Sequence, residues 1–388
     1  MTLPPLPLPP ILRESQITSS ASDLSYHVIE GGMKGNPLVL LLHGFPELAY
    51  SWRKVMPSLA EAGFYVIAFD QRGYGRTAGW DTKCFEEVDL HTFVQTNLVR
   101  DMIVLVQRLA YHEVHCVIGH DFGCVPAALC ALIRPDIFKK VILLGHPFQG
   151  SPKLPFGIGP DEEVRPTKPN IHEELRELDP PRKHYRWYYS TSEANKEMAP
   201  REGLHDFLRG YFHLKSGDAN NNPHPLKGMT ATELSKLPHY YVMPYELGMR
   251  DTVTQDMTNN EIANMKEKSP RWLPDSDLEI YVNEFGRTGF QGGLNWYRIM
   301  TDPEWQKDLD VFAGKKFEVP VLCISGTKDW LIYQTPGAVD NMKDACTDFR
   351  GIAWIEGAGH WPQQEAPEQV IEEVLKFLHG GSFRYVYE

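Results

Sequence analysis

Gly119-His120-Asp121-Phe122-Gly123 stands between an apolar run at 114–118 (VHCVI) and a helix-forming stretch, Cys124–Ile133. A residue at so sharp a strand-to-helix turn carries its side chain clear of the sheet. Glycines two positions to either side relieve the crowding of a strained backbone. The side chain presented here is a carboxylate, Asp121. In isolation such an aspartate also reads as a cap on the helix N-terminus. What lies on either side decides between the two.

Before this turn, 37–42 (PLVLLL) and 64–69 (FYVIAF) are continuous apolar runs of the length expected for strands buried on both faces. Residues 52–62 between them read as a helix stopped by Gly63. Residues 92–110 repeat Val94, Leu98, Met102 and Val106 at helical spacing. After the turn, 140–144 is a fourth strand. The alternation returns with strands at 319–325 and 352–355 and a last helix carrying Val370, Val374, Phe377 and Leu378 on one face. Strands alternating with helices predict an α/β fold, a mostly parallel sheet covered on both faces. The stretch 148–305 breaks the pattern: it is aromatic and Pro-rich, with helical patches at 172–178 and 202–212 and a polar segment at 218–225. It reads as an inserted, mainly helical lid. The core domain is then 1–147 together with 306–388. The Pro-rich start (Pro4, Pro5, Pro7, Pro9, Pro10) is expected to lie over the surface as an extended arm.

Two more groups complete a set with Asp121. Asp329 lies just past the strand at 319–325, in Ser325-Gly326-Thr327-Lys328-Asp329. His360 follows the strand at 352–355, in Gly357-Ala358-Gly359-His360-Trp361-Pro362. Nucleophile, acid and histidine in this chain order match the α/β-hydrolase arrangement, with Asp in place of the elbow serine. A carboxylate orienting an imidazole makes a general-base pair. His43-Gly44-Phe45-Pro46, after the first buried strand, falls where that fold sets one backbone N–H of the oxyanion hole. The residue after the nucleophile gives the other. Phe45 and Phe122 are the donors by this reading, through their main chains.

The full motif set, HGFPE, DQRGYGRT, GHDFG, GTKD and GAGHWPQQE with a lid between, resembles the soluble epoxide hydrolases of the α/β-hydrolase superfamily. The resemblance runs from about residue 25 to near the end of the chain. It implies conversion of an epoxide and water to a vicinal diol through an ester on Asp121. It also implies two lid tyrosines that hydrogen-bond the epoxide oxygen. The segment around Gln291-Gly292-Gly293-Leu294-Asn295-Trp296-Tyr297 is similar to the family segment bearing one, hence Tyr297. For the other, His184-Tyr185-Arg186-Trp187-Tyr188-Tyr189 offers Tyr185, Tyr188 and Tyr189, with Tyr185 in best alignment. Pro46 and Trp187 are assigned to substrate contact. Many relatives carry Trp where this chain has Phe122, which bears on pocket shape.

The residue types suit that chemistry. A carboxylate is already ionised at neutral pH and needs no base to attack an sp³ carbon. Phenols keep their protons at that pH and donate good hydrogen bonds. No metal or organic cofactor is implied. The substrate is expected to be a small apolar or aromatic epoxide, since the lid is rich in aromatic residues. A haloalkane or haloacid dehalogenase would use the same nucleophile, but it needs halide or carboxylate donors that Phe45 and Phe122 lack in their side chains. A non-catalytic ligand receptor of the same fold would predict loss of a triad or lid residue, and all are in place.

Composition agrees. The 388 residues are 42% hydrophobic and 23% charged, which excludes global disorder. The formal charge of −12 argues against a nucleic-acid partner. There is no run of 18 apolar residues to span a bilayer. The start is neither a signal nor a transit peptide, so a cytoplasmic protein is expected, monomer or homodimer. The six cysteines form no CxxC pair and read as reduced structural thiols.

Overall fold

A computed structural model describes residues 3–148, 150–152 and 170–381. Part of the expected lid, 149 and 153–169, lies outside the described residues, as do Met1 and Thr2 of the Pro-rich start.

The strands are β1 (Leu12–Thr18), β2 (Ser25–Gly31), β3 (Leu38–Leu42), β4 (Tyr65–Phe69), β5 (Cys116–His120), β6 (Val141–Leu144), β7 (Arg182–His184), β8 (Val242–Pro244), β9 (Val321–Gly326) and β10 (Phe349–Ile355). Among the described residues one sheet has eight strands, in the order β1-β2-β4-β3-β5-β6-β9-β10. β1 pairs antiparallel with β2, and β2 antiparallel with β4. From β4 to β10 every pairing is parallel. β7 and β8 make a separate antiparallel pair.

The apolar runs are continuous because both sheet faces are covered. In β3, Leu38, Leu40 and Leu42 face one core cluster, shared with Val99, Met102 and Val106 of the helix Gln95–Arg108. Val39 and Leu41 face the other, shared with Met56 and Leu59 and with Val370, Val374 and Phe377 of the last helix, Pro367–Leu378. Among the described residues, every regular element between β6 and β9 is helical apart from β7 and β8. This helical cap joins the second cluster through Leu208, Phe212, Tyr281, Leu294 and Trp296.

Several boundaries differ from the sequence reading. The helix expected at 52–62 is a 3₁₀ turn, Ala49–Trp52, followed by a helix Met56–Glu61 that starts where Pro57 fits its first turn. The third strand runs two residues later than expected, and Val114 makes only an isolated bridge to Phe138. The shift carries the strand up to the residue before Asp121. The Pro-rich arm touches the core through Leu6 and Leu8, and the Leu6 N–H donates to Glu14 at 2.9 Å. Among the described residues no helix is long and apolar enough to cross a membrane.

Candidate active site

Asp121 directly follows β5 with a left-handed backbone, φ +49°, which a non-glycine residue adopts only when its surroundings enforce it. The enforcement is backbone crowding. A methyl on Gly119 would stand 2.3 Å from the Gly123 carbonyl, and one on Gly123 2.5 Å from the carbonyls of Leu42 and His43. One on Gly44 would stand 2.4 Å from Asp121 Cβ. Only glycines let the β3 loop, the turn and the following helix close this tightly.

The two carboxylate oxygens are used differently. The Phe45 N–H donates to Asp121 Oδ1 at 2.9 Å. Oδ2 lies 3.3 Å from His360 Nε2. On the far side of the imidazole, Nδ1 is 3.2 Å from both oxygens of Asp329. Asp329 is itself fixed by the Leu331 N–H at 2.8 Å. Burial pushes the Asp121 carboxyl up. The imidazole of His360, backed by the charges of Lys215 and His120, outweighs burial and holds it well below the usual carboxylate range. Phe122 follows in the turn, its ring stacked on Tyr297 at 4.8 Å between centroids. Pro46 is buried beside Phe45.

Beneath this group lies a network that the sequence reading did not identify. Glu47, fully buried, accepts from the Gly44 N–H at 3.1 Å and pairs with His120 Nδ1 at 2.5 Å. His120 Nε2 meets the His360 carbonyl at 2.6 Å, so it donates there. An imidazole facing a carboxylate on one side and a carbonyl on the other must carry both protons. Burial would neutralise His120 and Glu47, but each partner's charge wins, raising the histidine and lowering the glutamate. Gln363 donates to Glu47 at 2.9 Å. One buried ion pair thus joins the Phe45 loop, the turn and the His360 loop.

The cap supplies the roof. Tyr297 lies on the helix Gln291–Thr301, which approaches the core through glycine: a methyl on Gly292 would stand 2.0 Å from the Gly73 carbonyl. Tyr185 opens the helix Tyr185–Tyr189, its ring 5.9 Å from that of Tyr297. Of the other candidates, Tyr188 donates to Glu197, and the Tyr189 hydroxyl donates to that of Tyr211 at 3.4 Å. Trp187 departs from expectation. It points outward from the short helix, is 37% exposed, and packs on His172 and His184.

Three further side chains border the site, none of them assigned a role from the sequence. Arg186 donates to the Tyr185 hydroxyl at 3.3 Å. It also lines a cavity of about 240 Å³ with Cys124, Val125, His146 and Met300, where burial pushes His146 down to about 4. Lys215 is buried among the rings of Tyr211, Tyr240, Tyr241 and Trp361, with Nζ 4.8 to 5.7 Å from their centroids. Burial lowers its pKa, against the charges of Asp121, Asp329 and Glu47. Glu365 ties the His360 loop to the cap, accepting N–H bonds from Gly359, Trp361 and Gly217 at 2.8 to 2.9 Å.

Comparison with known proteins gives a consistent picture. Residues 37–367 match the family model described as alpha/beta hydrolase fold. The chain is 32% identical over 360 residues to epoxide hydrolase A of Mycobacterium tuberculosis, covering 92% of this chain and 95% of that protein. An epoxide hydrolase from an endophytic Streptomyces superposes with a TM-score of 0.75 at 28% identity, over 98% of this chain and 99% of that one. Potato (Solanum tuberosum) epoxide hydrolase I superposes with a TM-score of 0.70 at 26% identity, over 95% and 99%.

Proposed function

Since the chain belongs to the epoxide hydrolases of the alpha/beta hydrolase fold, we propose that it opens a small epoxide to a vicinal diol through a covalent ester on Asp121. The cap is assigned to 148–305, over a core of 1–147 and 306–388.

One observation carries this reading: a carboxylate held at a left-handed turn with Phe45 N–H on one oxygen and His360 beside the other. Oδ1 is engaged, so Oδ2 is the attacking atom. It bonds to an epoxide carbon, and the breaking C–O bond leaves its electrons on the epoxide oxygen. Tyr185 and Tyr297 hydrogen-bond that oxygen from the cap, and a proton from one of them completes the alcohol. Tyr188 and Tyr189 suit this less well, since their hydroxyls are engaged with Glu197 and Tyr211. His360, oriented by Asp329, then takes a proton from water, whose oxygen adds to Asp121 Cγ. The Phe45 and Phe122 amides hold the oxyanion, a contribution of ~2.7–4 kcal/mol per donor in comparable sites. Collapse breaks the ester C–O bond, the departing oxygen takes the proton held on His360, and the proton of the added hydroxyl returns to the tyrosine that gave one, which releases the diol and restores the carboxylate. Neither Phe45 nor Phe122 offers a side-chain donor to a halide, and the Trp296 indole is spent on the Arg72 carbonyl at 3.0 Å. A dehalogenase is therefore disfavoured.

The test is a single turnover of styrene oxide in ¹⁸O-water with enzyme in excess. The expected diol is unlabelled, and the label sits in the Asp121 peptide. A labelled diol with unlabelled Asp121 means direct attack by water and overturns the reading.

A further inference from the structure

Arg186 stands next to Tyr185 on the short cap helix, and its guanidinium turns back onto its neighbour. Nε donates to the Tyr185 hydroxyl oxygen at 3.3 Å, and an Nη donates to Gln334 Oε1 at 3.2 Å. Gln334 is a buried core residue shortly after Asp329, so the guanidinium spans cap and core. Among the described residues Arg186 makes no ion pair with a carboxylate; its polar partners are a phenol and an amide.

The two cap tyrosines are therefore unequal. The Tyr297 ring is enclosed by Phe122, Phe45, Tyr189 and Tyr185, at 4.8, 5.4, 5.0 and 5.9 Å between centroids. Burial raises its pKa well above that of a free phenol, and Tyr185 and Asp121 push the same way. Tyr185 is buried too, beside His184, Tyr189 and Tyr241, but it alone of the pair has a cation on its oxygen.

We propose that Arg186 is a positioning residue for ring opening: it orients the Tyr185 hydroxyl toward the epoxide oxygen and makes Tyr185, not Tyr297, the principal proton donor. This rests on the function proposed above. A phenol oxygen that accepts from a guanidinium has one lone pair occupied, and its own proton must point elsewhere. As the C–O bond breaks, negative charge grows on the epoxide oxygen and is shared into the phenol oxygen. A fixed cation there stabilises the transition state more than the bound substrate, which raises the rate without tightening binding.

The experiment follows formation of the Asp121 adduct from styrene oxide, an uncharged probe, under single-turnover conditions. Arg186→Met is expected to slow adduct formation by about tenfold, with the half-saturating styrene oxide concentration unchanged. Arg186→Lys restores most of the rate. In a Tyr185→Phe background Arg186→Met has no further effect, whereas in Tyr297→Phe it keeps its full effect. An equal effect in both backgrounds, or one confined to the half-saturating concentration, overturns the proposal. So does an unchanged rate for styrene oxide with weakened binding of a carboxylated styrene oxide, which would make Arg186 a substrate-anion contact. Adduct missing from the wild-type enzyme would instead defeat the proposed function itself.

Discussion

At the scale of single residues, Asp121 is the meeting point of two opposed effects. Burial favours its protonated form, and the imidazole of His360 favours the anion and prevails. Replacing His360 with Gln removes the dominant favourable partner while burial stays, so the carboxyl must titrate higher than in the native enzyme. Under the proposed mechanism the variant still alkylates and then stalls. Adduct formation, followed by intact mass from about pH 4 to about pH 8, should lose rate on acidification at least about one pH unit higher than in the wild type. Coincident acid limbs would mean that His360 does not set the charge of Asp121. The place of this residue was legible from five letters of sequence, because glycines on both sides of a carboxylate at a strand's end favour a tight, crowded turn. Arg186 was equally visible as a letter. Its hydrogen bond to Tyr185 depends on a side-chain direction and on the arrival of Gln334, neither of which is written locally.

Elements that are buried on both faces announced themselves. β3, β4, β5, β6 and β9 are fully buried, and their runs of Val, Ile and Leu leave little ambiguity. β1 and β2 were missed: β1 is an edge strand, LRESQIT, with one buried residue, and β2, SYHVIEG, is buried over much of its length but breaks its apolar residues with His27 and Glu30. The Glu47–His120 pair was hidden in a different way. Both letters stand inside recognisable motifs, but their contact closes across the sheet. The short helix Pro362–Glu365 shows what one element can hold. Glu365 at its end accepts from two amides of the His360 loop and one of the cap. Glu365→Gln presents an NH₂ where one carboxylate oxygen had accepted, setting donor against donor. Stability should fall by about 1–3 kcal/mol in urea unfolding. Ester hydrolysis should slow more than ester formation in stopped-flow traces. Equal slowing of both steps would show that the His360 loop is not what Glu365 positions.

For the whole molecule, cap and core share one interior. The cluster on one face of the sheet continues without a break into Leu208, Phe212, Tyr281 and Leu294 of the cap. Polar ties cross the same boundary: Arg76 to Glu284 at 2.8 Å, Ser51 to Tyr281 at 2.8 Å, and the Trp361 indole to the Phe212 carbonyl at 2.9 Å. Urea unfolding should therefore be a single transition, with tryptophan fluorescence and far-ultraviolet circular dichroism superimposing. Two separated midpoints would mean a cap that melts by itself. The His360 amide donates to the carbonyl of Lys215 in the cap at 2.9 Å. His360, the proton acceptor of the proposed mechanism, is thus moored to the roof above it. A roof that swung wide would pull on that amide and draw the imidazole away from Asp329, so a wide-open roof and an aligned His360 exclude one another.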